Sequence, residues 1–472
     1  MLTPAPAPAS APESAPAPAS VPAPGSAAAP VAPLPPPGYP IVHPLKDVRL
    51  GEAFPSFAAG EGIYVQDTNG KTYIDGISGL WNVSLGYRHP GIRQAIVDQL
   101  DRLPYVNPVD GANPTTLAFA ETLLRLTPPA LAKVAYTCTG SESVELAIKL
   151  IRKFHQLSGR PERTLIAVLD KSYHGTYYGS MSASGIDQEI SESYGPRVPG
   201  FRFHPVPLGD DGKPAVLEGE LLERRLAELE RLFEEEEGRL GGIILEPIIG
   251  SGGILPLPDR YLRRVRELCD RSGALLAFDE VATGMGRTGR MFAFEHSGAA
   301  PDILCLSKGI NSGYLPLGAT LFSDAIYQAF ARAGSHIEHL STQNGNPIAC
   351  AAGLATVEAL ERPGLLAEVT RKGELLRRLL EEALAANPMF LETRGKGLMI
   401  GVALTSDRSA RALLDPDRLR EVVARLRQRG LLVYPIHTPG VTTGFHLFPP
   451  LIIEDGEIRK IVQIVARSLG GR

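Results

Sequence analysis

The chain has 472 residues, 44% hydrophobic and 21% charged, with a net charge of -4 from 48 basic and 52 acidic side chains. That length exceeds one ordinary core and suits two or three domains. The near-even charge balance leaves no electrostatic footprint for nucleic acid or an anionic membrane, so neither is expected as a partner.

No apolar run is long enough to span a bilayer, and the N-terminus lacks the basic-then-apolar order of a secretory signal. Cys138, Cys269, Cys305 and Cys350 show no CxxC spacing. They read as reduced thiols of a cytoplasmic protein, not disulfides or zinc ligands, and no metal site is expected.

In chain order, residues 1–38 are rich in Ala and Pro. Such a segment buries too little apolar surface to offset its ordering entropy and reads as a disordered tail. Gly62-Ile-Tyr-Val-Gln-Asp67 and Gly70-Lys-Thr-Tyr-Ile-Asp75 read as two strands around the turn Asp67–Gly70. A helix is expected from His89-Pro90, with Ile92, Ala95, Ile96 and Leu100 on one face.

Short apolar runs then alternate with helical patterns: Val134–Cys138, Thr164–Leu169, Gly242–Leu245, Leu275–Phe278 and Ile303–Leu306. The alternation predicts an α/β fold with a mostly parallel sheet covered on both faces. The acidic stretch Glu218–Glu237 reads as a solvent-facing helix. Beyond residue 346 come helices over Leu375–Leu384 and Arg418–Arg429 and a strand over Gly397–Leu404, a smaller α+β pattern. The expected division is a tail at 1–38, part of a small domain at 39–95, a large domain at 96–345 and the rest of the small domain at 346–472.

Two of the apolar runs end in charge. Leu275-Leu-Ala-Phe-Asp279 ends in an acid, and Ile303-Leu-Cys-Leu-Ser-Lys308 ends in a lysine. An open parallel sheet places its ligand crevice at such strand ends. A lysine and an aspartate converging there suit pyridoxal phosphate: the amine condenses with the cofactor aldehyde and the carboxylate keeps the pyridine nitrogen protonated. Thr137-Cys-Thr-Gly-Ser-Glu142 opens a helix whose apolar face carries Val144, Ala147, Ile148 and Ile151. Its free N–H groups and dipole suit a phosphate, although a plain Ser N-cap accounts for the same residues. Tyr173, at another strand exit, could stack on a flat ring, while His174 reads as structural.

Gly140-Ser-Glu-Ser-Val-Glu145, Ser172-Tyr-His-Gly175, Glu246-Pro247, Phe278-Asp-Glu-Val-Ala-Thr-Gly284 with Gly286-Arg-Thr-Gly289, Ser307-Lys-Gly309 and Ser341-Thr-Gln-Asn-Gly-Asn-Pro347 follow one another in this order. Over about residues 40 to 468 the set closely resembles the class III pyridoxal-phosphate aminotransferases. The resemblance implies a fold type I, aspartate-aminotransferase-like enzyme: a large domain with a mostly parallel sheet, a small α+β domain and a homodimer with shared active sites. It implies pyridoxal 5'-phosphate as cofactor and Lys308 as the catalytic, cofactor-bonded lysine.

By the same resemblance Asp279 pairs with the ring nitrogen, and Tyr173 and Val281 pack on the two ring faces. Gly140 and Ser141 hold the phosphate, Thr342 reaches the phosphate of the neighbouring subunit, and Glu246 lines the pocket. Gly79-Leu-Trp81-Asn82 resembles the ω-amino acid:pyruvate branch, which puts Trp81 and Tyr173 at the substrate. The implied reaction is ping-pong transfer of an amino group from an amine or ω-amino acid to a keto acid, pyruvate being the expected acceptor.

Gly313–Thr320 and Met291–His296 also resemble diaminopelargonate aminotransferases, the alternative within the class. An aminomutase or racemase on the same fold is the alternative outside it. Many relatives carry an arginine shortly before the equivalent of Pro449-Pro450 to bind a substrate carboxylate. Residues 431 to 448 contain none, only His437 and His446. A neutral imidazole cannot replace a bidentate guanidinium. Arg394 is the candidate substitute, and the gap leaves a simple amine or diamine open as donor.

Overall fold

The central sheet has seven strands in the order Leu131–Thr137, Gly318–Ser323, Ile303–Leu306, Leu275–Asp279, Leu240–Leu245, Leu165–Leu169 and Phe201–His204. Only Gly318–Ser323 runs antiparallel to its neighbours. The computed structural model describes residues 41–45, 55–186 and 188–470, so the Ala/Pro-rich stretch 1–38 lies outside the described residues.

The inner strands are buried along their whole length. Near-continuous apolar runs such as Ile243-Ile-Leu245 and Leu275-Leu-Ala-Phe278 are what a sheet covered on both faces requires. Helices supply the cover. In Asp259–Ser272 the buried Tyr261, Leu262, Val265, Leu268 and Cys269 repeat at helical spacing, and Gly273, at φ +71°, ends the helix in the left-handed conformation. In Gly219–Glu235 the leucines 222, 226, 229 and 232 face inward while Glu223, Glu234 and Glu235 face solvent, as the acidic pattern predicts.

The first hairpin forms as expected, with Tyr64–Asp67 antiparallel to Thr72–Asp75. Leu431–Leu432 joins its edge in parallel, so segments more than 350 positions apart in sequence, at 72–75 and 431–432, share a sheet. Two expectations change. The strand foreseen over Gly397–Leu404 is half of a hairpin, Phe390–Lys396 paired with Met399–Asp407. Gly397, at φ +55°, sits in its two-residue turn, where positive φ matches the strand twist.

The helix Pro90–Arg102 buries Ile92 but not Leu100, which is 52% exposed. Gln99 is buried in its place, accepting from Thr115 Oγ1 at 2.6 Å and donating to Leu103 O at 2.8 Å. A further antiparallel sheet runs Phe390–Lys396, Met399–Asp407, Thr442–Leu447, Tyr434–Thr438. Among the described residues no helix is long and apolar enough to cross a membrane.

Candidate active site

The parallel strands Leu275–Asp279 and Ile303–Leu306 lie side by side, with Asp279 in register with Cys305. Asp279 therefore closes one strand as Lys308 leaves the other. Lys308 begins a tight turn, Lys308–Asn311, at φ +40°. A non-glycine residue in that region is strained, and here it bends the lysine stem toward the crevice. Burial holds the Lys308 amine below the usual lysine range, against the upward pull of Asp279 and Glu246.

Asp279 is fixed from two sides. Its Oδ1 accepts from Val281 N at 3.1 Å, and its Oδ2 lies 2.8 Å from His174 Nδ1. His174 is buried, and its Nε2 has no hydrogen-bond partner among the described residues. Its sequence context predicts a structural histidine. The structure makes it the direct neighbour of Asp279, across 105 residues of chain.

The helix Gly140–Leu157 is capped by Thr139, whose hydroxyl accepts from Glu142 N at 3.1 Å. The cap is therefore Thr139, not a serine. Gly140 and Ser141 are the first helical residues, so helix geometry leaves their N–H groups without intrahelical acceptors at the positive end of the dipole. A Cβ on Gly140 would come within 2.6 Å of Val281 Cγ1, so a glycine lets Val281 lie against this turn. Gly175 has φ +130°, and a Cβ there would strike Ser141 Oγ. The Ser141 hydroxyl instead accepts from Thr176 N at 3.1 Å.

Glu246 follows the strand Leu240–Leu245. Its carboxylate accepts from Tyr173 N at 2.9 Å and from Gly250 N at 2.9 Å, which pins Tyr173 at its strand exit. Burial pushes the Glu246 carboxyl up to about 7, with His174 opposing and Asp279 adding to the rise.

These groups open on one cavity of about 180 Å³, lined by Gly140, Ser141, Tyr173, His174, Glu246, Asp279, Val281, Lys308 and Trp81. Trp81 forms the wall facing the lysine, its ring centroid 5.2 Å from Lys308 Nζ. Behind it Phe448 stacks at 4.7 Å, and Tyr434 and His446 stand at 5.5 and 5.6 Å. Burial pushes the His446 imidazole down to about 3, so it is neutral at working pH.

Arg394 does not line this cavity. Its Nη2 donates to Gly253 O and Thr442 Oγ1, its Nε to Ile254 O and its Nη1 to Glu392. His437 is exposed and pairs with Thr443 Oγ1. Thr342 is also exposed and outside the cavity, with its carbonyl accepting from Tyr105 Oη at 3.0 Å.

Comparisons with known proteins fit this arrangement. Residues 51–469 match the family model "Aminotransferase class-III". The chain is 34% identical over 424 residues to the adenosylmethionine-8-amino-7-oxononanoate aminotransferase of Geobacter sulfurreducens, covering 87% of this chain and 90% of that protein. It is 33% identical to the taurine–pyruvate aminotransferase of Bilophila wadsworthia, with 86% and 90% covered. The crystal structure of an amine transaminase from an uncultivated Pseudomonas species, solved in its PLP-bound form, superposes with a TM-score of 0.85 at 34% identity over 91% of this chain and 98% of that one. Strand order, crevice and family match agree: the chain belongs to the class III aminotransferases, pyridoxal 5'-phosphate-dependent transferases of fold type I.

Proposed function

We propose that this enzyme moves an amino group from an amine donor to a small keto acid of the pyruvate type, with Lys308 as the catalytic residue. The observation that carries the reading is the joint opening of Lys308, Asp279 and the first turn of Gly140–Leu157 onto one cavity. The glycines leave room for the cofactor: a side chain at Gly140 or Gly175 would fill the cradle beside Ser141 and Val281. Bound pyridoxal phosphate supplies an aldehyde for the amine and a cationic ring that draws electrons from the substrate carbon.

The Gly140 and Ser141 N–H groups would hold the phosphate at the helix N-terminus. Tyr173 and Val281 would take the two ring faces, and Asp279 the ring nitrogen. The Lys308 amine would accept the proton from the substrate carbon and hold it for return. Its lowered proton affinity suits that part, because an ammonium cannot accept a proton.

Two features support an amine donor without a carboxylate. The guanidinium of Arg394 is committed to the wall behind Gly253, and His446 is neutral. The pyruvate-type acceptor is supported by the name of the taurine–pyruvate relative.

A homodimer with shared sites is part of the same proposal. Leu100, Leu103, Tyr105 and Leu117 expose apolar surface, and Thr342 lies beside Tyr105, where Thr342 of the partner subunit could reach across a two-fold interface. A large cofactor-binding domain around the seven-stranded sheet, a small domain drawn from both chain ends and a cytoplasmic setting for four free thiols complete it.

The test follows the visible band of bound cofactor on adding, separately and without acceptor, an aryl amine, putrescine, β-alanine or diaminopelargonate. Loss of the band with the aryl amine or putrescine, and its return with pyruvate, is the expected result. Loss with β-alanine or diaminopelargonate alone would overturn the donor reading. Turnover without any acceptor would make the enzyme an aminomutase or racemase. Lys308→Ala should abolish the response; near wild-type activity would remove Lys308 from the mechanism.

A further inference from the structure

Trp81 is the only tryptophan of the chain and the wall of the cavity opposite Lys308. The turn that presents it is strained. Ser78, Gly79 and Trp81 have φ of +48°, +68° and +65°, and only one of the three is glycine. A backbone held there persists only when its surroundings over-determine it.

Two buried, oppositely charged side chains do so from either side. Asp75 accepts from Gly79 N at 2.6 Å, Ile77 N at 3.2 Å and Tyr87 Oη at 2.7 Å. Arg287, among the largest fully buried side chains, donates to Pro449 O at 2.7 Å, Leu398 O at 3.1 Å and Ser78 Oγ at 3.4 Å. Its guanidinium also lies 5.6 Å from the centroid of Phe448, the ring on which Trp81 stacks. Ser78 Oγ donates to Phe448 O at 2.5 Å, and Phe448 N donates to Gly76 O at 2.7 Å. Neither Asp75 nor Arg287 lines the cavity.

We infer that Asp75 and Arg287 are positioning residues that clamp the Ser78–Trp81 turn against Phe448 and so set the width of the amine pocket. This rests on the reading of the cavity as an amine pocket. The clamp places the indole where it limits the group carried by the substrate amine. Loosening it would change which amine fits while leaving the chemistry at Lys308 in place.

The test uses the holoenzyme with Asp75→Asn and Tyr87→Phe, each alone and in a Trp81→Phe background. Asparagine keeps an acceptor for one N–H but removes the charge; Tyr87→Phe removes one donor to Asp75 and is the milder change. Asp75→Asn should shift the ratio of KM between an aryl amine and a small alkyl amine about tenfold, with kcat altered by less than about twofold. The shift should vanish in the Trp81→Phe background, because the effect runs through the indole.

Trp81 emission, read from a single tryptophan, should move to the red and become more quenchable by acrylamide in Asp75→Asn. Tyr87→Phe should move the same readouts in the same direction by less, and it decides the matter if Asp75→Asn fails to fold. Lowered stability with unchanged emission and an unchanged KM ratio would overturn the proposal, as would a KM shift that survives without Trp81. If the unaltered enzyme accepts neither amine, the pocket reading fails, while the emission arm still tests the clamp.

Discussion

Glu280, next to Asp279, offers a sharp test of the electrostatics of this core. It is almost fully buried and, among the described residues, pairs with no cation; it accepts from Ala293 N at 2.6 Å, Phe294 N at 2.7 Å and Thr283 Oγ1 at 3.1 Å. Burial favours the neutral acid, while the three donors favour the carboxylate. Burial wins, and the carboxyl is pushed up from 4.5 to about 7. The folded protein therefore keeps a proton that the unfolded chain has released. Stability from this group is present in full below about pH 4.5 and is lost as pH rises towards about 7.

One pKa unit is worth about 1.4 kcal/mol, so the whole swing is about 3 kcal/mol. Glu280→Gln keeps the shape and removes the titration. Denaturant midpoints of the holoenzyme and the variant, compared from about pH 5 to about pH 8, should move apart by about 3 kcal/mol, the glutamine protein gaining on the parent as pH rises. A parent that gains on the variant over that range would show that the backbone donors win and would refute the reasoning. A constant difference would refute it as well.

Asp279→Asn should retain bound cofactor and lower kcat by about 100-fold or more, because a neutral amide cannot hold the ring nitrogen protonated; stopped-flow loss of the cofactor band measures it, and a change under about threefold would put another group at that nitrogen. Gly175→Ala forces a side chain into a φ of +130° and onto Ser141 Oγ. Cofactor retention on dialysis should weaken about tenfold or more, with the apo-protein fold intact by circular dichroism. Leu229→Ala, in the buried face of Gly219–Glu235, should lower stability by about 2–5 kcal/mol and leave kcat/KM unchanged.

What the sequence made legible were residues whose position follows from their own neighbourhood. Lys308 and Asp279 stand at the ends of apolar runs, and a parallel sheet brings such ends together whatever the rest of the chain does. The helix face of Val144, Ala147, Ile148 and Ile151 is likewise set by local spacing. Local pattern misled where a side-chain network outranked it. Gln99 is drawn inward by Thr115 and Leu103 and displaces Leu100, and Gly397, expected to open a strand, turns at positive φ ahead of Met399.

The residues that hold the cavity's side chains left little trace, because their partners are remote. His174 meets Asp279 across 105 residues, and Ser78 meets Phe448 across 370. A lone histidine after a tyrosine, or an aspartate after a strand, carries no local mark of such a contact. Yet these contacts set how the legible residues are aimed. Asp279 presents one carboxylate oxygen to His174 and the other to Val281 N, so its orientation is set before any ligand arrives. The same holds for Trp81, whose strained turn is secured by charges outside the cavity. Groups that line the cavity are thus placed by strand ends and glycine turns, and their aim is fixed by buried polar pairs that only the folded chain assembles.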